Sequence, residues 1–125
     1  MFADRHATVM LPAKDVDRAV RWYDEKLGIK PAERLDYGVR YKLNGASDVF
    51  LYQTQFAGTA QNTMLSFDSD DLVADMQAMR EKGVTFLDYD LPDIKTVDGI
   101  VDFGGVKNAW CKDSEGNILG FVQGM

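Results

Sequence analysis

Thr8-Val9-Met10-Leu11-Pro12-Ala13-Lys14-Asp15 opens the first regular pattern of the chain, and the fold follows from its return later in the sequence. Thr8 to Ala13 reads as a short apolar strand. Asp15 follows as a helix N-cap, because its carboxylate can accept from the free N–H groups of a first helical turn. Val16, Ala19, Val20, Tyr23 and Leu27 then recur at helical spacing, which makes one apolar stripe from about Asp15 to Leu27. Gly28 and Pro31 end it. The same order restarts at Thr63. Thr63 to Phe67 reads as a strand, Asp70-Asp71 opens a helix, Leu72, Met76 and Met79 form its stripe, and Gly83 closes it. Position 64 answers to position 8 and position 71 to position 15, a shift of 56 in both cases.

The stretches after each helix are strand-like. In the first half they are Ala32 to Leu35, Val39 to Leu43 and Val49 to Tyr52. Val39, Tyr41 and Leu43 alternate with Arg40 and Lys42, the period of a half-buried strand, and Asn44-Gly45 signals a tight turn. In the second half they are Val84 to Leu87, Lys107 to Lys112 and Ile118 to Gln123, with a turn at Ser114-Glu115-Gly116-Asn117. Val49 to Gln53 pairs by pattern with Leu119 to Gln123. The reading is therefore α+β: a single domain of two βαβββ modules, at about 6–54 and 63–124, joined by a connector at about 55–62. Two half-sheets side by side with helices outside would enclose a concavity, a standard place for a ligand.

Composition narrows the partners. The chain has 125 residues, 46% hydrophobic and 27% charged, enough to bury a core without disulfides or metals. Fourteen Lys and Arg stand against 20 Asp and Glu, a net charge of −6. That balance disfavours nucleic acid and anionic membranes, both of which select clustered cations. One cysteine, Cys111, excludes an intramolecular disulfide and fits a reducing cytoplasm. Met1 to His6 is polar, without the apolar run of a signal peptide, and no stretch approaches the roughly 20 apolar residues of a membrane span.

A family resemblance rests on these motifs in order. They are the strand ending in Lys14-Asp15, Trp22-Tyr23 and Leu27-Gly28; then Phe67 through Asp71-Leu72, Lys82-Gly83-Val84, and Asp113-Ser114-Glu115-Gly116-Asn117-Ile118-Leu119. Over nearly its whole length the chain resembles the vicinal oxygen chelate superfamily, which includes glyoxalase I, extradiol dioxygenases and the fosfomycin and bleomycin resistance proteins. The closing turn resembles the family's Asp-Pro-Asp-Gly-Asn, with Ser114 and Glu115 as departures. The resemblance implies a concave mixed sheet, and in active members one divalent metal held by His, Glu or Gln from four strands. Carried over, those positions are Thr8, Phe50, Met64 and Gly120. None is a ligand for a catalytic divalent ion, which takes oxygen, imidazole or thiolate donors. The resemblance therefore implies a member without the usual metal ligands, and no cofactor is expected. Homodimers are common in the family, so a homodimer is implied on that ground alone.

Several residues have plainer roles beside the chemical ones. His6, the only histidine, shares a strand face with Thr8 and is either a single ligand or base or an exposed terminal residue; the second fits better, because a metal would lack partners. Cys111 reads as a buried, inert thiol. Asp88, Asp90, Asp93 and Asp98 fail the EF-hand spacing and read as a solvated loop. Gly104-Gly105 has no helix or Lys-Ser/Thr after it, so it reads as a hairpin or bulge and not a phosphate loop. The aromatic residues carry the positive signal. Phe50 and Tyr52 share one face of a strand whose other face, Val49 and Leu51, should pack on the helix, while Tyr41 and Trp110 lie on strands of the two halves. The plain alternative is that these rings fill the core, and the face that Trp110 takes is open at this level.

The sequence thus points to a small-molecule-binding protein without a metal, its ligand flat and partly apolar, with Thr8, Tyr41, Phe50, Tyr52, Met64, Trp110 and Gly120 as the binding set. The alternative is a glyoxalase- or dioxygenase-like enzyme, a lyase, isomerase or dioxygenase. It would use either a shifted metal site (His6, Gln53, Glu115) or acid–base chemistry through Tyr41, Tyr52 or Asp68.

Overall fold

β1 (Thr8–Ala13) leads into α1 (Val16–Leu27) through Asp15, whose backbone is extended and whose side chain accepts the Arg18 N–H as an N-cap. The computed structural model describes all 125 residues, Met1–Met125. β2 (Glu33–Leu35), β3 (Gly38–Leu43) and β4 (Ser47–Gln53) complete the first half. Asn44 and Gly45 both take positive φ, 52° and 66°, which lets β3 return as β4 within three residues. The second half repeats the order with β5 (Thr63–Asp68), α2 (Leu72–Glu81), β6 (Val101–Phe103), β7 (Val106–Lys112) and β8 (Ile118–Gln123). Asp71 caps α2 as Asp15 caps α1, accepting from the Ala74 N–H. Gln123 adds a second acceptor there, its side chain taking the Leu72 N–H at 2.7 Å.

Each half builds one four-stranded mixed sheet with the same arrangement. The first runs β1-β4-β3-β2 and the second β5-β8-β7-β6, with β1 parallel to β4, β5 parallel to β8, and the remaining pairs antiparallel. The edge strands β1 and β5 meet between the sheets. This is an α+β fold of two βαβββ units.

Strand alternation divides each sheet into two faces. Leu11, Ala13, Val39, Tyr41, Val49 and Leu51 turn one way and are buried with Ala19 and Tyr23 of α1. Ala109, Cys111, Leu119 and Phe121 do the same with Leu72, Met76 and Met79 of α2. Both sets join in one cluster, so the helices share a single core with the two sheets. The opposite face of each sheet carries no helix. Helices α1 and α2 have 12 and 10 residues, and no helix is long and apolar enough to cross a membrane.

Two strand readings change. Val84 to Leu87 is not a strand: Phe86 alone bridges to Cys111, and its burial comes from packing under α2's core residues. The strand that follows the helix in the second half is instead β6, at the edge of its sheet, whose three residues are too short to show any period in the sequence. Gly104-Gly105 is the turn between β6 and β7.

Candidate functional site

The helix-free faces bring most of the aromatic set together in two clusters. In the first sheet, Phe50 pairs with Met10 and with Arg40 across its neighbouring strands, so all three share the uncovered face. The Phe50 ring lies over Gly38, where an added Cβ would come within 2.5 Å of it, and stacks on Tyr37 at 5.7 Å and 7°. Tyr37 is itself exposed, so the outer face of this stack is open. Tyr52 follows two residues after Phe50 on the same face. It lines a cavity of about 190 Å³ with Pro12, Phe56, Met64 and Asn117. Met64 reaches that cavity because it is the extra residue where the β5–β8 register shifts between Thr63 and Leu65.

In the second sheet, Trp110 is half-buried on the helix-free face, directly across from Gly120. Its Nε1 donates to Thr63 Oγ1 at 3.2 Å, and Tyr89 meets its ring edge-on at 5.3 Å. A Cβ at Gly120 would lie 3.2 Å from Thr63 Cγ2 and 3.3 Å from Ser66 Oγ. The space that a ligating side chain would need at this position is thus already crowded by Thr63 and Ser66. Phe50, Tyr52, Met64, Trp110, Gly120 and Thr8 all sit on helix-free faces or line the cavity between them.

Tyr41 does not join them. It pairs across strands with Val49 on the helix side, is 3% exposed, and packs against Tyr23 at 6.2 Å. Burial pushes its hydroxyl up to about 12, and the hydroxyl has no hydrogen-bond partner. This differs from the expectation that Tyr41 lines the ligand space: the apolar stripe it forms with Val39 and Leu43 is the core side, and Arg40 is the β3 residue beside Phe50. A void of about 10 Å³ beneath Tyr41, lined also by Leu11, Leu65 and Phe67, has room for no more than one water. Cys111 is fully buried and burial pushes its thiol up to about 12, which leaves it protonated and out of reach of reagents.

Three residues of the closing turn, Asp113, Glu115 and Asn117, form a buried polar latch between the halves. Glu115 accepts the Asp15 N–H at 2.8 Å and a forked pair from Arg18, Nε at 2.8 Å and an Nη at 2.9 Å. Asn117 Nδ2 donates to the Pro12 carbonyl at 2.7 Å, and its Oδ1 accepts the Gly58 N–H at 3.2 Å. Asp113 Oδ2 accepts the Tyr23 hydroxyl at 2.5 Å. Gly116, with φ 86°, approaches Gly58 so closely that a Cβ would lie 3.2 Å from the Gly58 Cα. Glu115, which sequence reasoning could offer only as a metal donor, is therefore spent on the first helix, and Gln53 is exposed at the end of its strand.

The latch sets an acid dependence. Burial opposes ionisation of Glu115, but the donors from Arg18, Asp15 and Ser114 outweigh it and hold its carboxyl at about 2. A carboxyl depressed on folding stabilises above its unfolded value, and that contribution disappears as pH falls toward the folded one. Burial moves Asp113 the other way, raising it against four donors, so its protonation favours the folded form as pH falls. The Glu115 contribution is therefore read by difference. Urea unfolding between near-neutral pH and about pH 3 should show a smaller loss for Glu115→Gln than for the parent; parallel curves would remove Glu115 from the account.

The helix-free faces do not fit a divalent metal at the positions the family uses. Thr8, Phe50, Met64 and Gly120 offer one hydroxyl and one thioether among them, and no group of three or more His, Cys, Asp or Glu side chains is gathered anywhere in the chain.

Comparison with known proteins places this geometry. The sequence profile of the Glyoxalase/Bleomycin resistance protein/Dioxygenase superfamily matches residues 5–121. No curated protein matches the sequence. Among solved structures, UcmS2 is similar at a TM-score of 0.75 and 17% identity, over 94% of this chain and 96% of that one. TnmS3, an antibiotic binding protein from Streptomyces sp. CB03234, is similar at 0.71 and 20% identity, over 100% and 99%. The oxidase ChaP-H2 is similar at 0.68 and 14% identity, over 98% and 95%. At these identities the structures speak for the fold alone. The profile covers nearly the whole chain, and on that ground the protein belongs to the glyoxalase/bleomycin resistance protein/dioxygenase superfamily.

Proposed function

We propose that the chain is a metal-free small-molecule-binding protein that holds a flat, partly apolar ligand in the aromatic-lined space between its two modules. One observation carries this reading. Phe50, Tyr52, Met64 and Trp110 occupy the helix-free side, while the four positions that would hold a metal lack donors. Stacked and edge-on rings with an open outer face suit a planar ligand. The cavity of about 190 Å³ is smaller than the usual range for a drug-sized molecule, so the ligand extends from it across the open faces. The antibiotic-binding role of TnmS3 supports the reading by analogy of fold. The binding set is Thr8, Phe50, Tyr52, Met64, Trp110 and Gly120.

The reading includes a cytoplasmic homodimer. Met10 and Phe103, 52% and 48% exposed, leave apolar surface that a second copy would cover. Sedimentation as a monomer at micromolar concentration would remove that part alone.

A thermal-shift panel tests the function. Mn²⁺, Ni²⁺, Zn²⁺ and Fe²⁺ are set beside planar aromatic antibiotics and glutathione adducts. A ligand at about a hundred times its dissociation constant adds roughly 2.7 kcal/mol, a shift of several degrees. Stabilisation by planar aromatics and not by metals is the expected result. Stabilisation by a metal would overturn the metal-free reading and bring an enzyme forward.

A further inference from the structure

The geometry points to a second capacity of the same face: His6 and Asp48 form a base that removes a proton from a planar, conjugated ligand bound beside Phe50. This rests on the binding reading above and adds a reaction to it.

His6 Nε2 lies 2.7 Å from Asp48 Oδ2. Asp48 belongs to the helix-free face, because it alternates with Val49 and Leu51, which are core, and precedes Phe50 and Tyr52 on its own side. Its place in the register is beside Thr8 on one neighbour and Lys42 on the other. His6 is therefore folded over the binding face. Phe50 stands two strand residues away, about 7 Å along β4.

The plainer role is a surface ion pair that pins the segment before β1, an arrangement that adds little to stability. Three features favour the chemical role. The exposures are unequal: the carboxylate is 16% exposed and the imidazole 59%, so the acid is the held partner and the base is the presented one. A carboxylate on Nε2 fixes the neutral tautomer with its N–H there, which leaves the lone pair on Nδ1, and Nδ1 makes no hydrogen bond in the protein. Cations flank the site: Lys42 Nζ is 3.8 Å from Asp48 Oδ1, and Arg40, directly across from Phe50, lies 3.4 Å from Glu33. A base with its orienting acid, on the same face as the Tyr37–Phe50 stack and a guanidinium that can offset developing negative charge, is the arrangement that proton abstraction needs.

The step balances without a co-reactant. Nδ1 takes a proton from an acidic C–H of the ligand, and the C–H electron pair moves through the conjugated system to an electronegative atom. The imidazolium then returns the proton to that atom, to another carbon of the same ligand, or to water. In this step His6 is the catalytic residue and Asp48 a positioning residue.

Nitrobenzisoxazole is a flat probe that reports such a base directly. Loss of its C–H proton breaks the N–O bond and releases a coloured cyanonitrophenolate. The parent protein should bind it saturably, read by quenching of tryptophan fluorescence, and turn it over. His6→Ala should lose about a hundredfold or more of the rate with binding unchanged. Asp48→Asn should lose roughly tenfold and Asp48→Glu should recover part of that, a pattern that a mere surface tether would not give. Saturable binding with equal turnover in parent and His6→Ala would overturn the base and leave the binding reading standing. Absence of saturable binding in the parent would overturn both.

Discussion

Asp113→Ala should cost about 4 kcal/mol or more of folding stability, a large part of the roughly 5–15 kcal/mol that holds a domain of this kind together. The carboxylate is 6% exposed and accepts four hydrogen bonds. Oδ1 takes the N–H groups of Glu115 and Asn117 at 2.8 and 2.9 Å, and Oδ2 takes the Tyr23 hydroxyl at 2.5 Å and Asn117 Nδ2 at 2.9 Å. Alanine strands all four donors. Tyr23 and Asn117 are 2% and 1% exposed, so water cannot replace the acceptor without opening the latch. Each stranded buried donor costs about 1–3 kcal/mol, less whatever relaxation recovers. Tyr23→Phe removes one donor with its bond and should cost only about 1–2 kcal/mol. Urea unfolding followed by circular dichroism gives both values. A loss below about 1 kcal/mol for Asp113→Ala would mean that the four bonds to its carboxylate contribute little to joining the halves.

Trp110→Ala and Tyr52→Ala should each weaken a planar aromatic ligand by roughly 10- to 100-fold, about 1.4–2.7 kcal/mol, and leave the fold in place. Both side chains are half-buried on faces without helices, so their removal opens surface instead of a core cavity. Leu51→Ala supplies the contrast. Leu51 neighbours Tyr52 in the chain but points the other way and is 0% exposed. Its loss should cost about 2–5 kcal/mol in stability and change affinity little in the protein that remains folded. One strand would then give two phenotypes, divided by residue parity. Isothermal titration beside thermal melts separates them. Equal affinity in Trp110→Ala, Tyr52→Ala and parent would move the site off this face.

The parts of the fold written in local pattern were legible. Asp15 and Asp71 cap helices because their stripes begin at the next residues, and Asn44-Gly45 turns because both positions accept positive φ. β6 was not legible, since Val101-Asp102-Phe103 is too short to carry a period, and Phe86 mimicked a strand through burial alone. The helix-free face proposed to bind the ligand was half legible. Phe50 and Tyr52 declare a shared face by spacing, whereas Tyr41 needed its own apolar partners Val39 and Leu43 to be given weight as a core stripe. What escaped entirely depends on distant partners. Glu115 meets Arg18 across 97 residues, Asn117 meets Pro12 across 105, and His6 meets Asp48 across 42. No periodicity encodes such pairs.

Those separations also bear on the order in which the chain acquires its shape. The N–H of Asp15 and the carbonyl of Pro12 find their partners only in the turn 113–117, about a hundred residues downstream. During synthesis at roughly 5–20 residues per second, the first helix waits several seconds before those partners exist. Closing so long a loop is an entropic step that local helix and hairpin formation cannot hasten. The first module would therefore emerge from the ribosome with its strands paired but its start unfastened, and a turn made about a hundred residues later would complete it.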